Sequence, residues 1–387
     1  MILTHKTECY PTKDQKQFFE RCFGMRRFFF NKAVMTLKYR YGDLKENIRS
    51  IKSKEVMSMR KDVILKDYRE LKLTVPDQIL YTSMEDVIFA LDSLRKKGRN
   101  IPLRKKKDSN TFRICKSGAH TTFWYENKSK YIGLPQFTKY NLPLLKMAES
   151  IRWENPNIRT VTIKKKANRY FISITCEVAD LPQSENLNRH LGMDWGISTY
   201  FTAYDGKDMY EINLCEITLK RLDRRIAKNQ KSLARKVRFS GNWFKVKTKL
   251  EQSYLDFNNY RDTFIKETVF VLSELFDSVT LEDLCMNFVT RNKKLAHKAK
   301  QKPFYMFKVA LINKFKNLGK KVYLVPKTYP STQTCNSCGY VKTGSEKMKL
   351  GEKVYKCPSC NKTHDRDQNA AMNLYSFKNL VEASIEE

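Results

Sequence analysis

Polar and apolar residues alternate over the first ten positions, MILTHKTECY, so the chain is expected to open with a short strand. The period then changes to that of a helix. Phe18, Phe19, Cys22, Phe23, Phe30, Val34 and Leu37 supply an apolar side, with Arg26, Arg27, Lys32 and Lys38 between them. Thr12 with Gln15 three residues on reads as a capping box at its start. Core packing accounts for these aromatics better than base stacking does. A second helix is expected from Pro76–Asp77 to Lys97, with Met84, Val87, Ile88, Leu91 and Leu94 inside and Gly98 as its stop. Residues 11–98 therefore read as a small helical unit.

A basic loop, GRNIPLRKKKDSN, follows without a periodic pattern. Residues 111–180 turn to strands: a hairpin around Asn127–Ser129, then two alternating runs, the second carrying Tyr170, Ile172, Ile174, Cys176 and Val178. The opening strand joins these in one small barrel, with the helical unit inserted between them. The polar segment 179–189 reads as a linker. From Leu191 the pattern is strand, tight turn, strand, with Asp194 in the first strand. Two long helices are expected over 216–275, and the buried strand SVTLEDL over 278–284 ends in Glu282 and Asp283. A helix near 304–318 stops at Gly319, and KKVYLVP is another core strand. A cysteine-rich segment then interrupts the order before a short last helix that opens at Asp367. The fold class expected is a multidomain α/β protein with all-β and all-α parts.

Charge adds a partner to this picture. The 387 residues hold 74 Lys+Arg against 41 Asp+Glu, a net charge of +33. Such a chain repels itself unless a polyanion neutralises it, and nucleic acid is the natural one because each contacted phosphate releases counterions. Between Glu216 and Leu250 twelve Lys/Arg face two acids, too one-sided for ion-paired helix faces. Phosphate contact is accordingly expected from Arg224, Arg225, Arg235 and Lys236, and also from Arg26, Arg27, Lys32, Arg104, Lys105 and Lys106. The N-terminus has no signal-peptide core, and no apolar run approaches the length of a membrane span, so a soluble cytoplasmic protein is expected. Cys9, Cys22, Cys115, Cys176, Cys215 and Cys285 stand singly among apolar neighbours and read as buried reduced thiols.

The remaining four cysteines carry chemistry. Cys335/Cys338 and Cys357/Cys360 form two Cys-x-x-Cys knuckles separated by 18 residues, the spacing of a structural zinc ribbon. Three acids stand in core-like contexts: Asp194 between Met193 and Trp195, Glu282 at the end of VTLE, and Asp367 at the start of DQNAAMNL. Carboxylates facing a core are costly unless paired or metal-bound. Converging carboxylates make an oxygen site for hard divalent cations, whereas the soft thiolates suit zinc. Singly, each acid has an ordinary alternative: a turn for Asp194, an ion pair for Glu282, an N-cap for Asp367.

These pieces occur together in one known arrangement. YPTKDQ with GMRRFFFNKAV, GMDWGI, TLEDL, YPSTQTCNSCG, YKCPSC and HDRDQNAAMNL, in that order, make the chain resemble the TnpB family, transposon-encoded RNA-guided nucleases related to type V CRISPR effectors. The middle, about 42–75 and 99–150, matches least. The resemblance implies an RNase H-like (RuvC) nuclease domain over 190–328 and 362–387 with a zinc-ribbon insertion at 329–361. It further implies a wedge barrel from 1–10 and 99–185, and a helical recognition domain over 11–98. Asp194, Glu282 and Asp367 match the catalytic acids, which would hold two Mg2+ ions, or Mn2+, while Asp283 and Asp365 are neighbours. The four cysteines match the ligands of one structural zinc. The partners implied are a guide RNA derived from the element and double-stranded target DNA, cut beside a short flanking motif. A guided repressor that does not cut, or an accessory transposase, is the alternative. Trp195 departs from the leucine common at that position.

Overall fold

The computed structural model describes residues 1–59, 75–98, 101–105, 110–116, 123–179 except 136 and 139, 187–284, 296, 299, and 301–386 except 327 and 350, with side chains to residue 380. The chain divides into two compact units, Met1–Asp180 and Leu181–Glu387. No described helix is long and apolar enough to cross a membrane.

In the first unit, β1 (Ile2–Tyr10) leads into α1 (Lys13–Tyr41). The capping box forms as expected: Gln15 N donates to Thr12 Oγ1 and Thr12 N to Gln15 Oε1, at 3.3 and 2.9 Å. Two more helices, α2 (Ser53–Met59) and α3 (Asp77–Lys97), follow. α3 ends at Gly98, whose φ of 61° is the left-handed conformation that a β-carbon disfavours. The strands β2 (Thr111–Cys115), β3 (Tyr131–Ile132), β4 (Leu145–Met147), β5 (Asn157–Lys166) and β6 (Arg169–Glu177) join β1 in one sheet of order β2-β5-β6-β1-β4-β3.

β1 pairs antiparallel with β6 from Ile2↔Glu177 to Cys9↔Tyr170, so the helices are indeed inserted between strands of one sheet. Among the described residues the end strands β2 and β3 do not pair, and the expected barrel is an open half. Phe18, Phe19 and Phe23 are fully buried. Phe19 and Phe23 each lie 5.5 Å from the ring of Phe112 on β2, so the α1 aromatics are core, as the periodicity implies. Helices and sheet share this one core.

The second unit is built on β7 (His190–Trp195), whose first five residues are buried. A meander continues through β8 (Phe201–Tyr204) and β9 (Met209–Ile212), antiparallel throughout. The helices α4 (Glu216–Ala234) and α5 (Gly241–Leu275) form a hairpin that returns to β10 (Ser278–Glu282). β10 pairs parallel to β7, and after α6 (Phe304–Asn317) the strand β11 (Lys321–Val325) adds parallel to β10. The order is β11-β10-β7-β8-β9, with β7 central. A small hairpin, β12 (Val354–Lys356) and β13 (Thr363–Asp365), precedes the last helix α7 (Arg366–Glu386).

Side chains on β7 alternate between two surroundings. Leu191 and Met193 join the apolar cluster that includes Phe304, Phe307 and Leu311 of α6. Gly192 lies on the opposite face, under α7. A β-carbon there would fall 2.3 Å from Tyr375 N and 2.5 Å from Ala371 O, backbone that cannot swing aside. The glycine is what allows α7 to lie directly on the central strand. His190 shares that face, its two ring nitrogens 2.8 and 3.1 Å from the hydroxyls of Ser278 and Thr280.

The single thiols divide. Cys9, Cys22 and Cys176 are buried as expected, and burial pushes Cys9 up to about 12 and Cys176 to about 11. Cys115 is half-buried, and Cys215 is exposed because it precedes the first residue of α4 rather than packing under it. Cys285 lies outside the described residues.

Candidate active site and metal centre

Parity along β7 places Asp194 on the face of Gly192, the face that α7 covers. Glu282 ends β10, whose register Thr280↔Gly192 and Leu281↔Met193 sets it beside Asp194 on that face. Asp367 stands in the first turn of α7. The three acids thus come from a central strand, its parallel neighbour and the helix that crosses both.

Asp194 is 6% exposed, and its carboxyl is raised well above its ordinary range. Burial is the main cause, followed by the negative charges of Glu282 and Asp367. Burial also raises Glu282, against the hydrogen bond that Ser331 Oγ donates to its Oε1. Arg366 Nε and Nη2 both lie 3.0 Å from Asp367 Oδ1 and partly offset the crowd of anions. The raised proton affinity of Asp194 and Glu282 is what a hard dication would relieve, so the oxygen donors fit Mg2+ in kind.

The helix begins one residue earlier than the sequence suggests. Asp365, at the end of β13, accepts hydrogen bonds from Asp367 N and Gln368 N at 3.0 and 3.1 Å and is the cap. Asp367 is freed from that duty. Asp283 pairs with Lys308 instead of joining the cluster, in keeping with its place as a neighbour.

The cysteine cluster is tighter. The four sulfurs lie within 4.8 Å of one another, and no other described trio of potential ligands is gathered comparably. Cys335 and Cys360 are 3.7 Å apart, Cys338 and Cys357 3.6 Å. A tetrahedron with Zn–S bonds of about 2.3 Å has edges of about 3.8 Å, so the cage fits zinc. Cys360 N lies 3.5 Å from Cys357 Sγ, the amide-to-sulfur contact of a knuckle.

The ribbon is bonded to α7 by residues that the motif reading passed over. Asn369 and Asn373, one turn apart and buried, donate to Thr334 O at 2.6 and 2.8 Å, and Asn373 donates to Ser331 O at 2.7 Å. Asn336 N donates back to Asn369 Oδ1 at 3.0 Å. The spacing of four between two asparagines was the available signal, since it puts both amides on one helix face. Trp195 packs its ring edge-on to Phe304 at 5.8 Å, and its buried Nε1 finds no partner among the described residues.

The expected phosphate contacts separate into two classes. Arg26 and Arg104 share Asp86, at 2.6 and 3.1 Å, and Arg104 lies 3.7 Å over the Phe30 ring, so both are engaged inside the first unit. Arg27 donates to Asn110 at 3.0 Å, and Arg225 pairs with Asp256. These partners lie inside the protein and are not visible in a count of charges. Lys32 lines a groove on α1 with Phe28, Met35 and Tyr39, and Lys105 is exposed. Lys106 lies outside the described residues. Arg224, Arg235 and Lys236 do line a common groove of about 640 Å³, together with Lys228 and Lys231.

Three family models match the chain: a helix-turn-helix domain over 1–45, one described as "Probable transposase" over 173–293, and a Cas12f1-like TNB domain over 304–374. Residues 1–45 are here a strand and one long helix. A Streptomyces pristinaespiralis protein named "Putative RNA-guided DNA endonuclease" is 25% identical over 95% of this chain and 87% of its own length. An Acanthamoeba polyphaga mimivirus protein named TnpB-like is 24% identical over 96% of this chain and 72% of its own. The cryo-EM structure of a Cas12f1–sgRNA–target DNA complex matches with a TM-score of 0.53 and 13% identity, covering 98% of this chain and 99% of that one. The resemblance drawn from the motifs therefore holds along nearly the whole chain, and the fold is shared with the Cas12f1 effector.

Proposed function

We propose that this chain, similar throughout to TnpB-like proteins, is the RNA-guided DNA endonuclease of a transposable element. It would cut target DNA beside a short flanking motif. The observation that carries the reading is the burial of Asp194 against the charges of Glu282 and Asp367 on the α7 face of the central strand. The strand order β11-β10-β7-β8-β9, with only the meander antiparallel, supports an RNase H-like domain over 190–328 and 362–387.

Asp194, Glu282 and Asp367 would hold two divalent cations. When bound, the ions polarise the scissile phosphate and acidify a water. The chain's own work is positional. The β7–β10 register sets Asp194 and Glu282 side by side, Ser331 orients Glu282, and the Asp365 cap fixes the first turn that presents Asp367. Arg366 supplies a fixed positive charge at the same place. The ribbon would hold a structural zinc and so anchor α7 through Asn369 and Asn373. Sequence specificity would come from base pairing with the guide, with the protein reading the flanking motif.

Cleavage of guide-matched plasmid by the purified RNA–protein complex tests this. Asp194→Ala is expected to lower the rate on the order of a thousand-fold, the scale of removing one member of a cooperative catalytic set. An unchanged rate would overturn the assignment of the acids. Activity that survives RNase treatment before assembly would overturn the guide.

A further inference from the structure

The α4–α5 hairpin extends past its own core. Its fully buried residues are Leu219, Leu222 and Ile226 on α4, and none before Ser253 on α5. Between residues 227 and 252 the arm carries eight Lys/Arg and one acid, Glu251. Here the two helices pack on each other, Asn229 donating to Ser253 Oγ at 2.8 Å and Gln230 to Tyr254 OH at 2.6 Å, and within 227–252 only Glu251 offsets the cations.

At its tip are three aromatic rings. Phe239, Trp243 and Phe244 lie 5.1–6.5 Å apart, with Trp243 and Phe244 edge to face. Phe239 is 65% exposed and Phe244 50%. Arg238 and Lys247 stand over the Phe239 and Trp243 rings at 5.0 and 5.2 Å. Phe239 also has φ of 68°, a left-handed conformation that is uncommon and strained for a bulky residue.

Part of this has a local explanation. Ser240 caps α5, accepting from Trp243 N at 3.1 Å, and the Phe239–Phe244 contact is then a hydrophobic staple. A staple needs neither Trp243 nor so much ring left in water, and an aliphatic pair would serve it. Nor does it call for the groove that begins beside the tip, where Arg224, Lys228, Lys231, Arg235 and Lys236 line about 640 Å³.

A cationic groove leading to clustered, exposed rings is the combination that binds an unpaired strand, phosphates along the groove and bases on the rings. We infer that the α4–α5 arm holds single-stranded DNA, its backbone along Arg224–Lys236 and its bases stacked on Phe239, Trp243 and Phe244. The choice of DNA rests on the nuclease reading, because the arm belongs to the same unit as the three acids.

The test uses full-length protein carrying Asp194→Ala, so that binding is measured without cutting, and a single-stranded DNA oligonucleotide containing 5-bromodeoxyuridine. Photocrosslinks are expected at residues 239–244. Phe239→Asn combined with Trp243→Ala removes two rings while keeping a residue that tolerates the left-handed turn. It should weaken binding about ten-fold with the helical circular dichroism unchanged. Lys228→Glu with Lys231→Glu should lower the slope of log affinity against log salt by about 1.4, roughly 0.7 for each phosphate no longer neutralised. Crosslinks elsewhere with unchanged affinity of both variants would overturn the inference, and stronger binding of the matching RNA would overturn its DNA assignment. A chain that binds in this way but never cuts leaves the inference standing and the nuclease reading fallen.

Discussion

The second unit contains two clusters of would-be metal ligands, and they are built on opposite plans. The thiol cage is local. Its ligands fall between residues 335 and 360, its sulfurs already sit at tetrahedral spacing, and backbone amides support it. The acid cluster is assembled from residues 194, 282 and 367 on three separate elements, and its members repel one another. One arrangement is gathered within a short segment; the other depends on the whole unit's fold and keeps negative charge buried. The difference would suit the uses proposed for them, a closed site stabilising structure and a carboxylate site doing chemistry.

The largest effect should come from breaking the cage. Zinc binding to such ribbons is worth about 10–16 kcal/mol, so Cys357→Ser should unfold the segment 329–361 and cost the C-terminal unit much of its thermal stability. An unchanged melting curve would show the ribbon folds without metal. Next is the close approach that seats α7 on the central strand. Gly192→Ala drives a methyl into the backbone of α7 and should destabilise by about 1–3 kcal/mol or more, measured by denaturant unfolding. It should also reduce cleavage, since α7 carries Asp367.

The burial of these carboxyls, with the neighbouring negative charges at Asp194, has a sign that can be checked. Asp194 and Glu282 are raised above their ordinary 3.8 and 4.5 in the folded state. Their stabilising protonation is complete below those values and is lost as pH rises through the higher folded ones. Metal-free protein should therefore weaken toward neutral pH. Asp194→Asn should be more stable than the parent at pH 7 by about 1 kcal/mol, with the gap closing at acid pH. A carboxyl at 194 that was neither buried nor close to other negative charges would give no gap. The smallest effect belongs to the link between the two sites. Ser331→Ala removes one hydrogen bond to Glu282, and cleavage should fall several-fold while stability changes by about 1 kcal/mol. Equal rates would mean that the ribbon's leading segment does not orient the acid.

How much of this was legible beforehand follows from range. The capping box at Thr12, the αL stop at Gly98, the alternation of β6 and the cysteine knuckles involve residues close in sequence, and all are where the pattern placed them. The intramolecular partners of the basic residues were not legible, because a cation's partner lies elsewhere in the chain. Asp86 is 60 residues from Arg26, and its guanidinium bond could not be seen in a charge count. Cys215 read as buried from its neighbours, yet its place ahead of α4 leaves it in water.

The sequence alone determined the kinds of element, the charge that calls for a polyanion and the zinc-type spacing, and it marked three acids as candidates, because periodicity, net charge and local spacing survive in one dimension. The tertiary structure decided which acids share one face of the sheet and why. It showed that Gly192 admits α7 onto the central strand, that Asp365 rather than Asp367 caps that helix, and that Asn369, Asn373 and Ser331 tie the ribbon to the acid cluster. Those are contacts between distant segments, and only the packing that excludes a single β-carbon brings them together.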